Sequence, residues 1–273
     1  MSLDVVKDRG LVLLGCGKMG SAMLEGWLAR GVPASAVTVI DPYPSDRLHA
    51  LESDGLRLNA DLPRDAAICV LAVKPQMMAS ALPQVGDVAG RGAVFLSIAA
   101  GTPIQWFETA LGPRTPIIRA MPNTPAAIGR GITAIIGNAQ VEEEHLSLAE
   151  ALLSAVGSTL RIEDEAQMDA VTAVSGSGPA YVFHLIEAMA AAGEAEGLPA
   201  DLALRLATET VAGAGALAMA SEDGPDQLRI NVTSPQGTTA AALDVLMDPG
   251  SGLPPLMARA IAAAAARSRE LGK

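Results

Sequence analysis

The first half of the chain alternates short, almost wholly apolar runs with longer stretches of helical periodicity. Candidate strands fall at Leu11–Leu14 and Val37–Ile40, then at 68–73, 93–98, 116–119, 132–136 and 158–162. Runs without a polar face suit strands covered on both sides, as in a parallel sheet. Helical patterns lie between many of them, at 21–30, 44–54 and 141–156. The alternation predicts a doubly wound, mostly parallel α/β sheet.

Past residue 163 the strand signals stop and Ala-, Leu- and Met-rich helical pattern takes over. Helices are expected at 166–196, 200–221, 238–246 and 256–271. Gly176, Gly178 and Pro179 should open the early turns of the first, because Pro lacks the amide donor and Gly weakens a helix. The reading is therefore two domains, an α/β domain over 1–163 and an all-α domain over 164–273. Aromatic residues make up only 3% of the chain. Small-residue helices bury little area each, so a second copy of the chain is expected to complete this half, giving a homodimer through the helical domain.

Composition narrows the partners. At 273 residues and 50% hydrophobic side chains the chain can bury a full core. A net charge of −11 argues against nucleic acid and against an anionic membrane surface. The opening residues, Met1 to Asp8, lack the apolar stretch of a signal peptide, and Arg205 and Glu209 interrupt the apolar run from Leu202. The expectation is a cytoplasmic protein with no membrane span. Cys16 and Cys69 lie in apolar strand-like contexts and read as core thiols, with neither a disulfide framework nor metal-ligand spacing.

Gly15-Cys16-Gly17-Lys18-Met19-Gly20 follows the first strand and opens a helix. In this dinucleotide-binding, Rossmann-type fingerprint Gly15 allows the tight turn, Gly17 the approach of a pyrophosphate and Gly20 close helix packing. Asp41 lies 21 residues after Gly20, where an acid usually accepts from a ribose 2′-hydroxyl and repels a 2′-phosphate. This leans toward NADH, with NADPH still open because Arg47 is near in sequence and Asp41 also suits a turn before Pro42. Ala72-Val73-Lys74-Pro75 and Ser97-Ile98-Ala99-Ala100-Gly101 end the third and fourth long strands, where ligands of open α/β sheets sit. Met121-Pro122-Asn123-Thr124-Pro125 reaches the same edge. Asn123 suits a cofactor amide, the substrate or a Pro-stiffened turn, and Lys74 suits either the cofactor or plain solvent.

Catalytic groups are scarce. His49, His145 and His184 each fit a surface or core position as well as a base, and no Ser-His-Asp order, metal cluster or carboxylate pair is present. The chemistry then rests on a hydride-donating cofactor and on positioning. An iminium carbon suits that arrangement, because hydride attack gives a neutral amine with no alkoxide to protonate. A hydroxy-acid dehydrogenase normally commits a Lys or His to that proton, and 166–196 holds no lysine.

Two further motifs are more specific: Ser175-Gly176-Ser177-Gly178-Pro179-Ala180-Tyr181, and Asn231-Val232-Thr233-Ser234-Pro235-Gln236-Gly237-Thr238-Thr239. With Arg119-Ala120-Met121-Pro122-Asn123-Thr124-Pro125 and the nucleotide motifs, they make the chain resemble the pyrroline-5-carboxylate reductases along essentially its whole length. That family reduces a cyclic imine to L-proline.

The resemblance implies a Rossmann domain and a helical dimerisation domain, often within a ring of dimers, with NADPH usual and NADH often accepted. It also implies a pocket shared between subunits. In it Ser234, Pro235, Gln236, Gly237, Thr238 and Thr239 would cradle the substrate carboxylate, with the amides of Gly237, Thr238 and Thr239 as donors. Thr239 would be the hydroxyl nearest the imine nitrogen, Ser177 the opposite wall and Glu222 an acid near that nitrogen, a solvated glutamate being the alternative. The chain departs from the family at Asp41, where an acid is uncommon, and at Gln236, where a glycine is usual. Other readings are a general imine reductase, a β-hydroxyacid dehydrogenase-like enzyme, or a non-catalytic dinucleotide-binding protein.

Overall fold

The computed structural model describes residues 3–272; Met1, Ser2 and Lys273, at the ends of the expected domains and of the opening segment, lie outside the described residues. Helix α1 (Asp4–Arg9) leads into β1 (Leu11–Leu14), α2 (Lys18–Ala29), β2 (Val37–Ile40), α3 (Asp46–Glu52) and the short β3 (Arg57–Leu58). The chain continues through β4 (Ile68–Leu71), α4 (Pro75–Ala81), β5 (Val94–Ser97), α5 (Ile104–Leu111) and β6 (Ile117–Met121). Strands β7 (Gly131–Gly137) and β8 (Gly157–Arg161) flank α6 (Glu143–Leu153) and complete one eight-stranded sheet, ordered β3-β2-β1-β4-β5-β6-β7-β8. Every pairing is parallel except β6 with β7.

All four residues of β1, β2, β4 and β5 are buried. Alternate residues feed two separate cores, as the period of two in a strand requires. Leu11 and Leu13 join Trp27, Leu24 and Leu152 on one face, while Val12 and Leu14 join Phe95, Met78 and Phe107 on the other. The strand order reverses at β1 and β4, so a crevice opens at their carboxyl ends. The expected strands are present at nearly the expected places. Helices α1, α4 and α5 are additions, each too short to produce a clear period of 3.6.

Two compact units divide the chain: one runs through Gly176 and takes back the residues from Ala265 onward, the other spans Ser177–Ala264. The segment from 164 to 176 clusters with the first unit. Buried Met168 and Ala173 and an ion pair from Glu165 to Arg119 at 2.7 Å hold it there.

The expected helix over 166–196 is opened in its early turns, as Gly176, Gly178 and Pro179 predict. It comprises α7 (Met168–Val171), a π-helical turn at Thr172–Gly176, and α8 (Gly178–Ala195) with Pro179 in its first turn. Pro179 has no amide to donate, and the chain takes the wider turn just ahead of it.

In the second unit α8 packs on α9 (Ala200–Ala220), burying Ala190, Ala203 and Ala207, and Gly193 leaves room for Leu198 and Ala203. Helices α10 (Pro225–Asn231) and α11 (Thr238–Leu246) follow. The last helix, α12 (Leu253–Leu271), starts earlier than the expected 256 because Pro254 and Pro255 fall in its first turn, where a missing amide costs nothing. Contrary to the expected interruption by Arg205 and Glu209, α9 is long and apolar enough to cross a membrane by length and composition, with mean hydropathy 1.2.

Candidate functional site

The glycine turn sits between β1 and α2. Gly15 has φ +87°, a left-handed value that an L side chain resists, and a Cβ there would lie 2.7 Å from Val73 Cγ1. A Cβ on Gly20 would lie 2.5 Å from the Gly15 carbonyl oxygen, so the first turn of α2 can close on β1 only with glycine at 20. Gly17 is different. A Cβ there meets nothing, and Gly17 begins α2 without a side-chain cap. The first helical turn, with Gly17 and Lys18 exposed and Met19 half-buried, therefore opens at the positive end of a twelve-residue helix. That cradle fits a dinucleotide pyrophosphate.

Asp41 is drawn into the same turn. Its Oδ2 accepts the Cys16 N–H at 2.6 Å, and its Oδ1 accepts the Tyr43 N–H at 2.8 Å. Its backbone pairs with Asn59: the Asn59 side-chain amide donates to the Asp41 carbonyl at 2.8 Å, and Asn59 Oδ1 accepts the Asp41 N–H at 2.9 Å. Asn59 has no signal in hydrophobic pattern; its only clue is residue type, since Asn tolerates the φ of 49° found there. Arg47 lies on the surface with its guanidinium forked onto Glu25 at 2.7 and 3.0 Å. That contact holds the Glu25 carboxyl below the ordinary carboxylate range. Burial, opposed by a hydrogen bond with Ser21 and reinforced by Asp41 and Glu25, pushes the Cys16 thiol up.

At the carboxyl ends of β4 and β5, Ala72 and Val73 pack against Gly15, and Ala99 is buried with its N–H donated to Ser97 Oγ at 3.2 Å. Lys74 is exposed at the start of α4, ahead of Pro75. Gly101 takes φ +77°, and a Cβ there would lie 3.1 Å from Leu271 Cβ. The end of α12 thus packs against the loop after β5, a contact that no local pattern announces.

Asn123 is half-buried and tied to its own chain on both sides, with one amide N–H and one lone pair still open. Its amide donates to the Ser175 carbonyl at 3.1 Å and its Oδ1 accepts the Ile132 N–H at 2.9 Å, stapling the loop after β6 to the π turn. Met121 closes over the same turn, since a Cβ on Gly176 would meet its Cε at 2.5 Å.

In the second unit, residues 234–239 form a turn into α11. Gln236 takes φ 59°, a left-handed conformation. At Gly237, which has an ordinary φ of −82°, an added Cβ would crowd Ser234 Oγ and oblige that side chain to rotate. The Gly237 N–H is donated to the Ser234 carbonyl at 3.0 Å, so the three-amide cradle expected from sequence reduces to Thr238 and Thr239. Those two open α11 with no side-chain cap. Ser177 precedes α8, and Glu222 is exposed between α9 and α10. These residues stand on separate elements, and no hydrogen bond joins Ser177, Glu222 and Thr239 among the described residues.

A doubly wound sheet with a glycine-turn cradle at its switch point, followed by a helical unit, defines a nicotinamide-dinucleotide oxidoreductase of two-domain type. Comparison with known proteins gives the particular family. Residues 11–101 match the family described as NADP oxidoreductase, coenzyme F420-dependent, and 165–271 match pyrroline-5-carboxylate reductase dimerisation. The chain is similar to the pyrroline-5-carboxylate reductase of Pseudomonas aeruginosa, with 41% identity over 96% of this chain and 97% of the relative. Among solved structures it is similar to that of Coxiella burnetii (TM-score 0.90, 33% identity, 97% and 99% of the two chains). It is also similar to that of Plasmodium falciparum with NADP bound (0.83, 28%, 98% and 99%). The chain belongs to the pyrroline-5-carboxylate reductase family, and its helical half is of the kind through which that family dimerises.

Proposed function

We propose that this protein reduces 1-pyrroline-5-carboxylate to L-proline with NADH or NADPH. The observation that carries the reading is the uncapped start of α11, with the Thr238 and Thr239 amides open and the Thr239 hydroxyl beside them. The substrate brings one carboxylate and one imine nitrogen to such a surface. The amides of Lys18, Met19 and Gly20 hold the pyrophosphate, Asp41 the adenosine ribose, and Ala72, Val73, Lys74, Pro75, Ala99, Ala100 and Met121 line the nicotinamide end. When bound, the dinucleotide supplies a hydride.

The Thr238 and Thr239 amides bind the carboxylate through N–H donors at the positive helix end. The Thr239 hydroxyl orients the imine nitrogen, Ser177 forms the opposite wall and Glu222 stabilises the protonated nitrogen. Hydride addition to the iminium carbon breaks its π bond and leaves the electron pair on nitrogen, so the product is a neutral secondary amine and no further proton is required. Two subunits share each pocket through the helical half, in a dimer or a ring of dimers, and the protein works in the cytoplasm without nucleic-acid or membrane partners. The exposed Leu204, Leu206, Leu217 and Met219 of α9 suit that dimer.

Purified protein mixed with pyrroline-5-carboxylate should consume reduced nicotinamide and form proline in equal amounts. The Thr239→Ala variant should lose turnover or substrate affinity and keep cofactor binding. Absence of turnover with both cofactors would end the proposal, and loss of cofactor binding in the variant would remove the 234–239 turn from the substrate site.

A further inference from the structure

The carboxylate of Asp41 is fixed before any cofactor arrives. One oxygen is bound to the N–H of Cys16, inside the glycine turn, and the other to the N–H of Tyr43. Its backbone is clamped by Asn59. An acid so held cannot swing away from the end of β2 without giving up both amide partners.

The cation that sequence left open as a phosphate partner has a competing carboxylate at the surface. Arg47 is forked onto Glu25, and to meet a phosphate it would have to leave that bidentate pair. Beside the end of β2 lies a cleft of about 480 Å3 lined by Ile40, Asn59, Asp61, Gln84, Asp87 and Arg91. It carries two acids against one base. A 2′-hydroxyl can donate to the Asp41 carboxylate, whereas a 2′-phosphate has only acceptor oxygens and like charge to offer.

We infer that the enzyme selects NADH over NADPH, and that Asp41 is the residue that decides. The inference rests on the reading of this site as a nicotinamide-dinucleotide site. It sets the chain apart from the relative solved with NADP bound. Asp41 acts as an acceptor for the ribose and as a fixed repellent of a second phosphate. The exposed Glu25–Arg47 pair adds a smaller effect, a carboxylate that competes with a phosphate for that guanidinium.

The test is direct binding of each reduced cofactor to the intact protein, read by nicotinamide fluorescence or calorimetry without substrate, for wild type, Asp41→Ser, Asp41→Asn and Glu25→Gln. Wild type should bind NADH more tightly by on the order of tenfold or more, the scale of one unfavourable charge contact. Asp41→Ser and Asp41→Asn should shrink that ratio, chiefly by a gain for NADPH. Glu25→Gln, which frees Arg47, should improve NADPH several-fold and leave NADH unchanged.

Wild type binding NADPH as tightly as NADH would overturn the inference, and so would an unchanged ratio in Asp41→Ser. Asn at 41 keeps an acceptor for the Cys16 N–H, so it separates charge from loop collapse. If both Asp41 variants lose both cofactors, the wild-type ratio and Glu25→Gln decide. Tight NADH binding without turnover of pyrroline-5-carboxylate would sink the proposed reaction and leave this inference standing. Brisk turnover with preferred NADPH would do the reverse.

Discussion

Asn59 pairs through its side-chain amide with both backbone polar groups of Asp41, donating at 2.8 Å and accepting at 2.9 Å. Two residues 18 positions apart thus behave as an extra rung of the sheet, fixing the end of β2 where the adenosine half of a dinucleotide is expected.

Replacing Asn59 with Ala removes both bonds and leaves a less tolerant residue at φ 49°. The position is exposed, so a loss of about 1–2 kcal/mol is expected, with weaker NADH binding. Urea denaturation and a cofactor titration measure the two effects. Unchanged affinity would show that Asp41 holds its place without the clamp.

Asn123→Ala leaves the Ser175 carbonyl and the Ile132 N–H without their partner. About 2 kcal/mol should be lost, and kcat/KM should fall because the turn before Ser177 loosens. A thermal melt equal to wild type would mean that water replaces the side chain fully.

The left-handed Gln236 predicts a mild gain on substitution. Relief of about 1–2 kcal/mol of backbone strain in Gln236→Gly is offset by about 0.4–1 kcal/mol of extra freedom in the unfolded chain. The melting temperature should therefore hold or rise slightly. A clear fall would show that the Gln236 side chain makes a compensating contact, for instance across the dimer.

Thr38 is fully buried in β2, and its hydroxyl has no hydrogen-bond partner among the described residues. Thr38→Val keeps the shape and removes the unpaired oxygen, so stability should rise by about 1 kcal/mol. A lower urea midpoint would reveal a buried water bound to the hydroxyl.

Cys69 gives a pH dependence. Burial pushes its thiol pKa far above the ordinary value, so the folded protein keeps a proton that the unfolded chain releases above about pH 8.5. Stability from this group is fully present below that pH and is lost as pH rises, by about 2 kcal/mol at about pH 10. Denaturation curves of wild type and Cys69→Ala should diverge in slope over this range. Parallel curves would mean that the unfolded thiol does not titrate there.

The sequence by itself determined where most of the strands fall along the chain, the glycine turn, the start of α11 at Thr238 and the family. Each of these is written in local pattern: apolar runs, glycines at fixed offsets, and motifs whose residues are neighbours in the chain. It also showed where the chain departs from that family, at Asp41 and Gln236. Only the tertiary structure decided which polar groups remain free. Asp41 is bound to Cys16, Arg47 to Glu25, Asn123 to Ser175 and Ile132, and the end of α12 to Gly101. The Gly237 amide is used within its own turn, which trims the cradle to Thr238 and Thr239. Most of these contacts join residues far apart in the chain, where composition and periodicity carry no information. The physical reason is that a hydrogen-bonding group of given type looks the same in sequence whether its partner is water, ligand or backbone, and only folding assigns the partner.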